Sequence, residues 1–201
     1  MDSYEGHFGY TDNTTVSAVM VSLQNAAAFL AAAFCFPISE RLGRKTTIQA
    51  AMTVFCGGVL LQVVPSHSLA CYYVGRIIAG LGLGCGTATV PAYNAEMAPK
   101  EIRGKVGSGM QLLFAFGVMI SYWITYGTSQ GMKVSNAQWQ IPVGLQMLPA
   151  GALAIGLIFQ KESVRWLAKK QRYEEAWESL KWIRADDGLS AYSSQYAAGP
   201  R

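Results

Sequence analysis

Five long stretches without a charged side chain constrain this sequence more than any other feature. They lie between the charged residues at 12 and 40, 45 and 76, 76 and 96, 105 and 133, and 133 and 161. An α-helix crosses a bilayer with roughly 20 mostly apolar residues, and each stretch is about that long or longer. Helices of a soluble protein would carry charges along their solvent-exposed face. The pattern therefore predicts an all-α integral membrane protein with about five transmembrane helices.

The composition supports membrane insertion and argues against a nucleic-acid-binding protein. Only 14% of the residues are charged, whereas soluble domains have about 25%. The net charge is +4, but the Lys and Arg residues lie in the connections between apolar stretches, as they do in membrane proteins. The four cysteines lie within or beside apolar stretches without C-x-x-C spacing, which favours buried free thiols.

The charged connections also predict the topology. The apolar residues between them place the spans at 16–37, 47–64, 69–90, 104–126 and 141–159. The basic connections are 40–45, 96–105 and 161–184, and the segments poor in Lys and Arg are 1–13, 66–75 and 127–138. Because basic connections stay in the cytoplasm, the N-terminus is predicted outside and the C-terminus inside.

The sequence divides into four predicted segments: an extracellular segment 1–15, a helical transmembrane bundle 16–160, a cytoplasmic helical segment 161–185 and a disordered tail 186–201. The cytoplasmic segment is charge-rich and its apolar residues recur at helical spacing, which is typical of an amphipathic helix. The tail is rich in Ser, Ala and Gly without apolar periodicity. An outside N-terminus with no basic signal sequence favours a missing earlier span, so the chain is interpreted as a fragment of a longer protein.

Glycine and proline predict two local features of the spans. Every second residue from Gly80 to Gly86 is glycine, which gives two overlapping G-x-x-x-G pairs. Glycines at this spacing let the backbone of another helix approach closely. Pro142 and Pro149 lie in the fifth span and predict a kink there.

Four motifs follow one another along the chain. They are S-E-R-L-G-R-K at 39–45, G-R at 75–76 followed by Gly80, P-x-Y-x-x-E-x-x-P-x-x-x-R-G at 91–104, and E-S-x-R-W-L at 162–167. In this order and at these separations they resemble the sugar porters of the major facilitator superfamily, of the fungal monosaccharide and quinate permease type. The resemblance covers residues 8–185 and implies that the five spans are helices two to six of a twelve-helix fold.

The resemblance is incomplete in ways that bear on function. Phe36 stands where the first motif usually has glycine, and Lys161 and Val164 replace both prolines of the last motif. Helix one and the second six-helix half have no counterpart in this sequence, although the family builds its substrate site between two halves. The resemblance implies alternating-access transport of a monosaccharide or quinate-like solute across the plasma membrane, with protons as a candidate coupling ion.

The resemblance also implies roles for polar residues inside the spans. Gln111 lies eight positions after Arg103, where the family has an amide that hydrogen-bonds sugar hydroxyls; an interhelical hydrogen bond is the alternative. Arg76 is similar to the arginine that pairs with an acid on helix one in proton-coupled porters, and snorkelling is its alternative role. With helix one absent, Arg76 is expected to be left without that acidic partner. Weaker candidates for lining the cavity are Gln24, Asn25 and Gln146.

The resemblance also gives a role to charged residues at the cytoplasmic helix ends. It implies an ion-pair latch that ties these helix ends together in the outward-open state and loosens when the transporter turns inward. The charged residues are Glu40, Arg41, Arg44, Glu96, Arg103, Glu162 and Arg165. The alternative is that these side chains snorkel and orient the helices, and that each contributes little.

No sequence pattern indicates catalysis, a metal site or a cofactor, because there is no Ser/His/Asp set, metal-ligand spacing or phosphate loop. The second hypothesis is therefore another kind of membrane protein rather than an enzyme. In it, the truncated chain transports nothing and acts as a sensor-like or partner subunit that docks on complete porters through the glycines from Gly80 to Gly86.

Overall fold

The computed structural model describes residues 13–64, 69–99, 102–131 and 137–183. Within these ranges the chain is helical and has no β-strand. The helices are α1 (Asn13–Leu42), α2 (Arg44–Val63), α3 (Leu69–Met97), α4 (Arg103–Gly131), α5 (Ala137–Leu145), α6 (Met147–Phe159), α7 (Val164–Lys169) and α8 (Tyr173–Ile183). The predicted tail 186–201 and most of the predicted extracellular segment lie outside the described residues.

Five helical stretches are long and apolar enough to cross a membrane, which confirms the predicted fold class. They are Ala18–Leu42, Arg44–Val63, Ala70–Met97, Arg103–Gln130 and Gln140–Phe159. The helices are longer than predicted, because charged residues mark the edge of the bilayer and do not interrupt the backbone hydrogen bonds of a helix. The predicted connection 40–45 is therefore mostly helical: α1 includes Glu40 and Arg41, α2 begins at Arg44, and only Gly43 separates them.

The fifth span is divided into α5 and α6 at Gln146. Pro149 has no N–H to donate to the carbonyl of Leu145, and its ring crowds that carbonyl. At the break, the N–H of Gln146 donates to the carbonyl of Val143, three residues earlier, at 3.3 Å. This turn is tighter than that of an α-helix. The predicted cytoplasmic helix is divided as well, since a turn at residues 170–172 separates α7 from α8.

The glycines of α3 let two helices pack closely against it. A Cβ atom at Gly80 would lie 2.6 Å from the carbonyl oxygen of Gln24 on α1, and one at Gly82 would lie 2.5 Å from that of Ala51 on α2. Residues two apart point to opposite sides of a helix, so one glycine pair faces α1 and the other faces α2. The close packing occurs as predicted, but within the chain itself, so these glycines offer no open face to a partner protein.

The core of the bundle lies between α2 and α3, whereas α4 stands apart. Ile48, Phe55 and Val59 of α2 are buried together with Ala79 of α3. None of the residues in the apolar window of α4 is buried. A helix that exposes apolar side chains around its whole circumference is expected to contact lipid or further membrane helices.

Candidate functional site

An ion pair joins α2 to α3 at the cytoplasmic ends predicted for these helices. Arg44 Nε lies 3.4 Å from Glu96 Oε2, and only 13% and 12% of the two side chains are exposed. Arg44 Nη2 donates to Glu96 Oε1 at 3.5 Å, and Nη1 donates to the carbonyl of Ser39 at 3.1 Å. Buried Nε has no partner in hydrogen-bond geometry among the described residues. The pair is thus shielded from water but loosely bonded.

Glu162 caps the N-terminus of α2 from a distant part of the chain. Gly43, at the N-cap, has φ 103° and no side chain. The Glu162 carboxylate fills that space, since a Cβ at Gly43 would be 2.7 Å from Oε2. Oε1 accepts hydrogen bonds from the N–H of Lys45 at 2.9 Å and of Ser163 at 3.0 Å. A carboxylate in this place satisfies an unpaired helix N–H and opposes the positive end of the helix dipole.

Ser163 connects this cap to the ion pair. Its hydroxyl donates a short hydrogen bond to Glu96 Oε2, and its side chain is fully buried. Its Oγ also accepts from the N–H of Trp166 at 3.5 Å, as the N-cap of α7. We call Arg44, Glu96, Glu162 and Ser163 the cytoplasmic cluster, because together they hold the start of α2, the end of α3 and the start of α7.

A second contact fixes α7 to the end of α1. Lys169 Nζ lies 2.8 Å from Glu40 Oε1, and the indole N–H of Trp166 donates to the Glu40 carbonyl oxygen at 2.9 Å. The Lys169 side chain is 62% exposed, so solvent and salt screen this ion pair. The indole bond and the buried Trp166 ring therefore hold α7 more firmly than the ion pair does.

Three of the predicted latch residues are not brought into these contacts. Among the described residues, the guanidinium of Arg103 donates only to the carbonyl of Ala98, at 3.4 Å, and Arg103 is exposed. Arg41 and Arg165 are exposed and form no hydrogen bond or ion pair with the described residues. Sequence reasoning missed the roles of Ser163, Trp166 and Lys169. The first two belong to the motif at 162–167, which was the available signal, whereas nothing in the sequence marks Lys169.

Arg76 has no acidic partner among the described residues, but its guanidinium forms hydrogen bonds to two neutral side chains. Its Nη1 donates to Gln24 Oε1 at 2.5 Å. Nη2 and Nε donate to the hydroxyl of Tyr72 at 2.6 Å and 3.2 Å, and the guanidinium carbon lies 5.1 Å from the centre of the Tyr72 ring. Gln24 comes from α1 and Tyr72 from one turn earlier on α3, and both partners are uncharged.

The other amide candidates lie apart from Arg76. Gln111 is exposed on the first half of α4 and forms no hydrogen bond with the described residues. Asn25 is exposed, and so is Gln146 at the break between α5 and α6. Of the predicted cavity residues, the structure thus brings only Gln24 to Arg76.

A cavity of about 500 Å³ lies beside the cytoplasmic cluster, between α2, α3, α6 and α8. Its walls are mostly apolar, with polar groups from Tyr93, Asn94 and Gln160. The Tyr93 hydroxyl donates to the carbonyl of Lys161 at 2.6 Å, which ties this wall to the start of the last motif. No group of His, Cys, Asp or Glu able to hold a metal occurs in the described part of the chain.

Comparison with solved structures shows the fold. The proton:xylose symporter XylE bound to 6-bromo-6-deoxy-D-glucose matches with a TM-score of 0.83 and 22% identity, over 96% of this chain and 46% of that one. The inward-open conformation of the xylose transporter XylE from E. coli matches with a TM-score of 0.77 and 23% identity, over 96% and 48%. The described helices therefore have the arrangement of part of a major facilitator protein.

Comparison of sequences shows the family. A probable quinate permease of Aspergillus niger is 40% identical over 191 residues, which cover 92% of this chain and 35% of the relative. The quinate permease of Emericella nidulans is 37% identical over 188 residues, with the same coverage. The chain thus spans 35% of the length of these curated relatives. Residues 2–199 match the family model described as sugar (and other) transporter. The chain belongs to the sugar (and other) transporter family.

Proposed function

We propose that the chain forms part of a plasma-membrane transporter that moves a monosaccharide or a quinate-like acid by alternating access. The observation that carries this proposal is the cytoplasmic cluster, which joins the ends of α2 and α3 to the start of α7 through four residues of the family motifs. The names of the relatives and structural neighbours, quinate permeases and a proton:xylose symporter, support the class of solute. The C-terminus lies in the cytoplasm in this proposal, as the basic connections predict.

The cytoplasmic cluster suits a latch that opens and closes. Shielding an ion pair from water removes much of its net stabilisation, because desolvation offsets the attraction between the charges. The pair of Arg44 and Glu96 is shielded and its contacts are 3.4–3.5 Å long. A loosely bonded pair of this kind can separate without a large change in free energy, as a rocking transporter needs. Arg41, Arg103 and Arg165 are proposed to join the latch in another state.

Two residues inside the spans are proposed to act on the solute and the coupling ion. Gln111 offers both donors and an acceptor to solute hydroxyls, and its exposure on α4 leaves it accessible. Arg76 is proposed to take part in proton coupling through an acid outside this chain. Both proposals are supported by the positions of these residues relative to the family motifs.

Uptake tests the proposed function. Labelled glucose, xylose and quinate are offered to transport-deficient yeast that expresses this chain, with its presence at the plasma membrane verified by surface labelling. Saturable uptake of one solute is expected, with a loss of about two- to twelvefold in Gln111→Ala, because a lost hydrogen bond to the solute removes roughly 0.5–1.5 kcal/mol. Gln130→Ala is the matched control, since Gln130 is an exposed amide at the other end of α4. Equal losses in both variants would remove Gln111 from the site.

The second candidate is a non-transporting partner or sensor-like subunit, and the unburied apolar surface of α4 favours it. In this case α4 packs against helices of a complete porter. A chain that reaches the membrane, shows no uptake and co-purifies with a complete family member would establish the second candidate over the first.

A further inference from the structure

The guanidinium of Arg76 is placed to receive an anion. It lies about two turns into α3. Its hydrogen-bond partners are the uncharged side chains of Gln24 and Tyr72. None of the ion pairs of the described residues includes Arg76. A cation at membrane depth is unfavourable by roughly 2.5–3.5 kcal/mol or more, and an anion that reaches the guanidinium would offset part of this.

The guanidinium also has donors left for that anion. Arginine carries five N–H hydrogens. Tyr72 receives one from Nε and one from Nη2, and Gln24 receives one from Nη1. One hydrogen therefore stays on each terminal nitrogen without a partner among the described residues. A carboxylate accepts two such N–H groups side by side.

Gln24 and Tyr72 hold the guanidinium in one orientation. Gln24 fixes Nη1 from α1, where the helices approach closely at Gly80. Tyr72 accepts from the opposite edge and places its ring against the guanidinium. A fork that is held in advance loses less side-chain entropy when a ligand binds.

Arg76 is also the one basic residue available to an anion inside the described spans. Away from the charged helix ends at 41–45 and 103–105, these spans contain no other Lys or Arg. A carboxylate that leaves water for this region needs a counter-charge, and no other described side chain within the spans supplies one.

We propose that Arg76, oriented by Gln24 and Tyr72, binds the carboxylate of a polyhydroxylated acid and so selects hydroxy acids over neutral sugars. This inference rests on the proposed transport function and names its class of substrate. The competing role for Arg76 is the proton-coupling role given under the proposed function, as the partner of an acid outside this chain, and a selective loss of quinate binding would replace that role. In that role its loss would weaken the binding of charged and neutral solutes alike.

The test compares an acid with its uncharged ester. Equilibrium binding of labelled quinate and of methyl quinate is measured at pH 7 on the purified chain in lipid nanodiscs. Arg76→Gln is expected to weaken quinate binding by about tenfold or more, because a hydrogen-bonded charge is lost, and to change ester binding by less than about twofold. The quinate affinity of Arg76→Lys is expected to lie between those of the unaltered chain and Arg76→Gln. Lysine keeps the charge but loses the two parallel N–H donors of the guanidinium. Lys105→Gln is the control for net charge.

Each outcome decides the matter. Selective loss of quinate supports the inference, and retained ester binding shows that the variant is folded. Equal weakening of both solutes, or unchanged quinate binding, overturns the inference and leaves the proposed function standing. If the unaltered chain binds neither solute, the proposed function fails for this chain and the inference fails with it.

Discussion

At the scale of single residues, Gly43 and Glu162 form one functional unit. The positive φ of Gly43 turns the chain from α1 into α2, and the absent side chain leaves room for the carboxylate that caps α2. The sequence indicated the importance of both residues, because each belongs to a motif. It could not indicate that they touch, since 117 positions separate Lys45 from the carboxylate that accepts its N–H.

Gly43→Ala is expected to destabilise the chain. A side chain at this φ is unfavourable by roughly 1–3 kcal/mol, and the new Cβ would displace Glu162 from its cap. The measurement is the unfolding midpoint of the purified chain in detergent, with the loss of helix content as the signal. Gly57→Ala is the matched control, because Gly57 lies in α2 with open space around it. There alanine is expected to stabilise slightly, since it favours helix. Equal stability of the two variants would contradict this account of the cap.

At the scale of elements, the spacing of apolar residues predicted the helices well and their ends poorly. Five uncharged stretches are enough to identify five spans, because the bilayer sets their length. The ends depend on local backbone bonds, as at Gly43 and Gln146, which hydropathy does not record. The partners of the α3 glycines were also unpredictable, since the same spacing serves packing within a chain and between chains.

Gly80→Val is expected to separate α3 from α1. The added atoms would overlap the backbone of Gln24, and overpacking of this kind is unfavourable by roughly 1–3 kcal/mol or more. The same unfolding measurement reports the loss. Gly117→Val on α4 is the control, because no atom lies within 4 Å of a Cβ there. A similar midpoint for Gly80→Val and the unaltered chain would show that the contact between α1 and α3 is not tight.

At the scale of the whole molecule, the described helices are unevenly packed. The packing of α1, α2 and α3 is dense, whereas α4 exposes large apolar side chains on every side. The sequence does not predict this difference in packing, because the apolar stretches of α2 and α4 have similar mean hydropathies, 1.4 and 1.3. The burial of a helix depends on which helices lie next to it, and the composition of the helix does not identify them.

Lipid-phase labelling checks this uneven packing. A photoactivated carbene probe dissolved in the bilayer is expected to label α4 several-fold more than the core face of α2, since Leu112 and Phe114 are exposed and Ile48 is buried. The labelled positions are read by peptide mass spectrometry of the chain in liposomes. Comparable labelling of the two helices would mean that α4 is covered in the bilayer, by a second copy or by another membrane protein.

The cap on α2 has a consequence for biosynthesis. Glu162 is synthesised 117 residues after Lys45, whose N–H it accepts. At roughly 5–20 residues per second, the ribosome adds Glu162 roughly 6–23 s after it adds Lys45. During that interval the N-terminus of α2 lacks the Glu162 cap, and water or lipid headgroups must bind its first N–H groups. The helix ends predicted to be cytoplasmic are therefore joined only after all five spans have been translated. A ribosome that stalls before residue 162 would leave α2 in the membrane without the Glu162 cap.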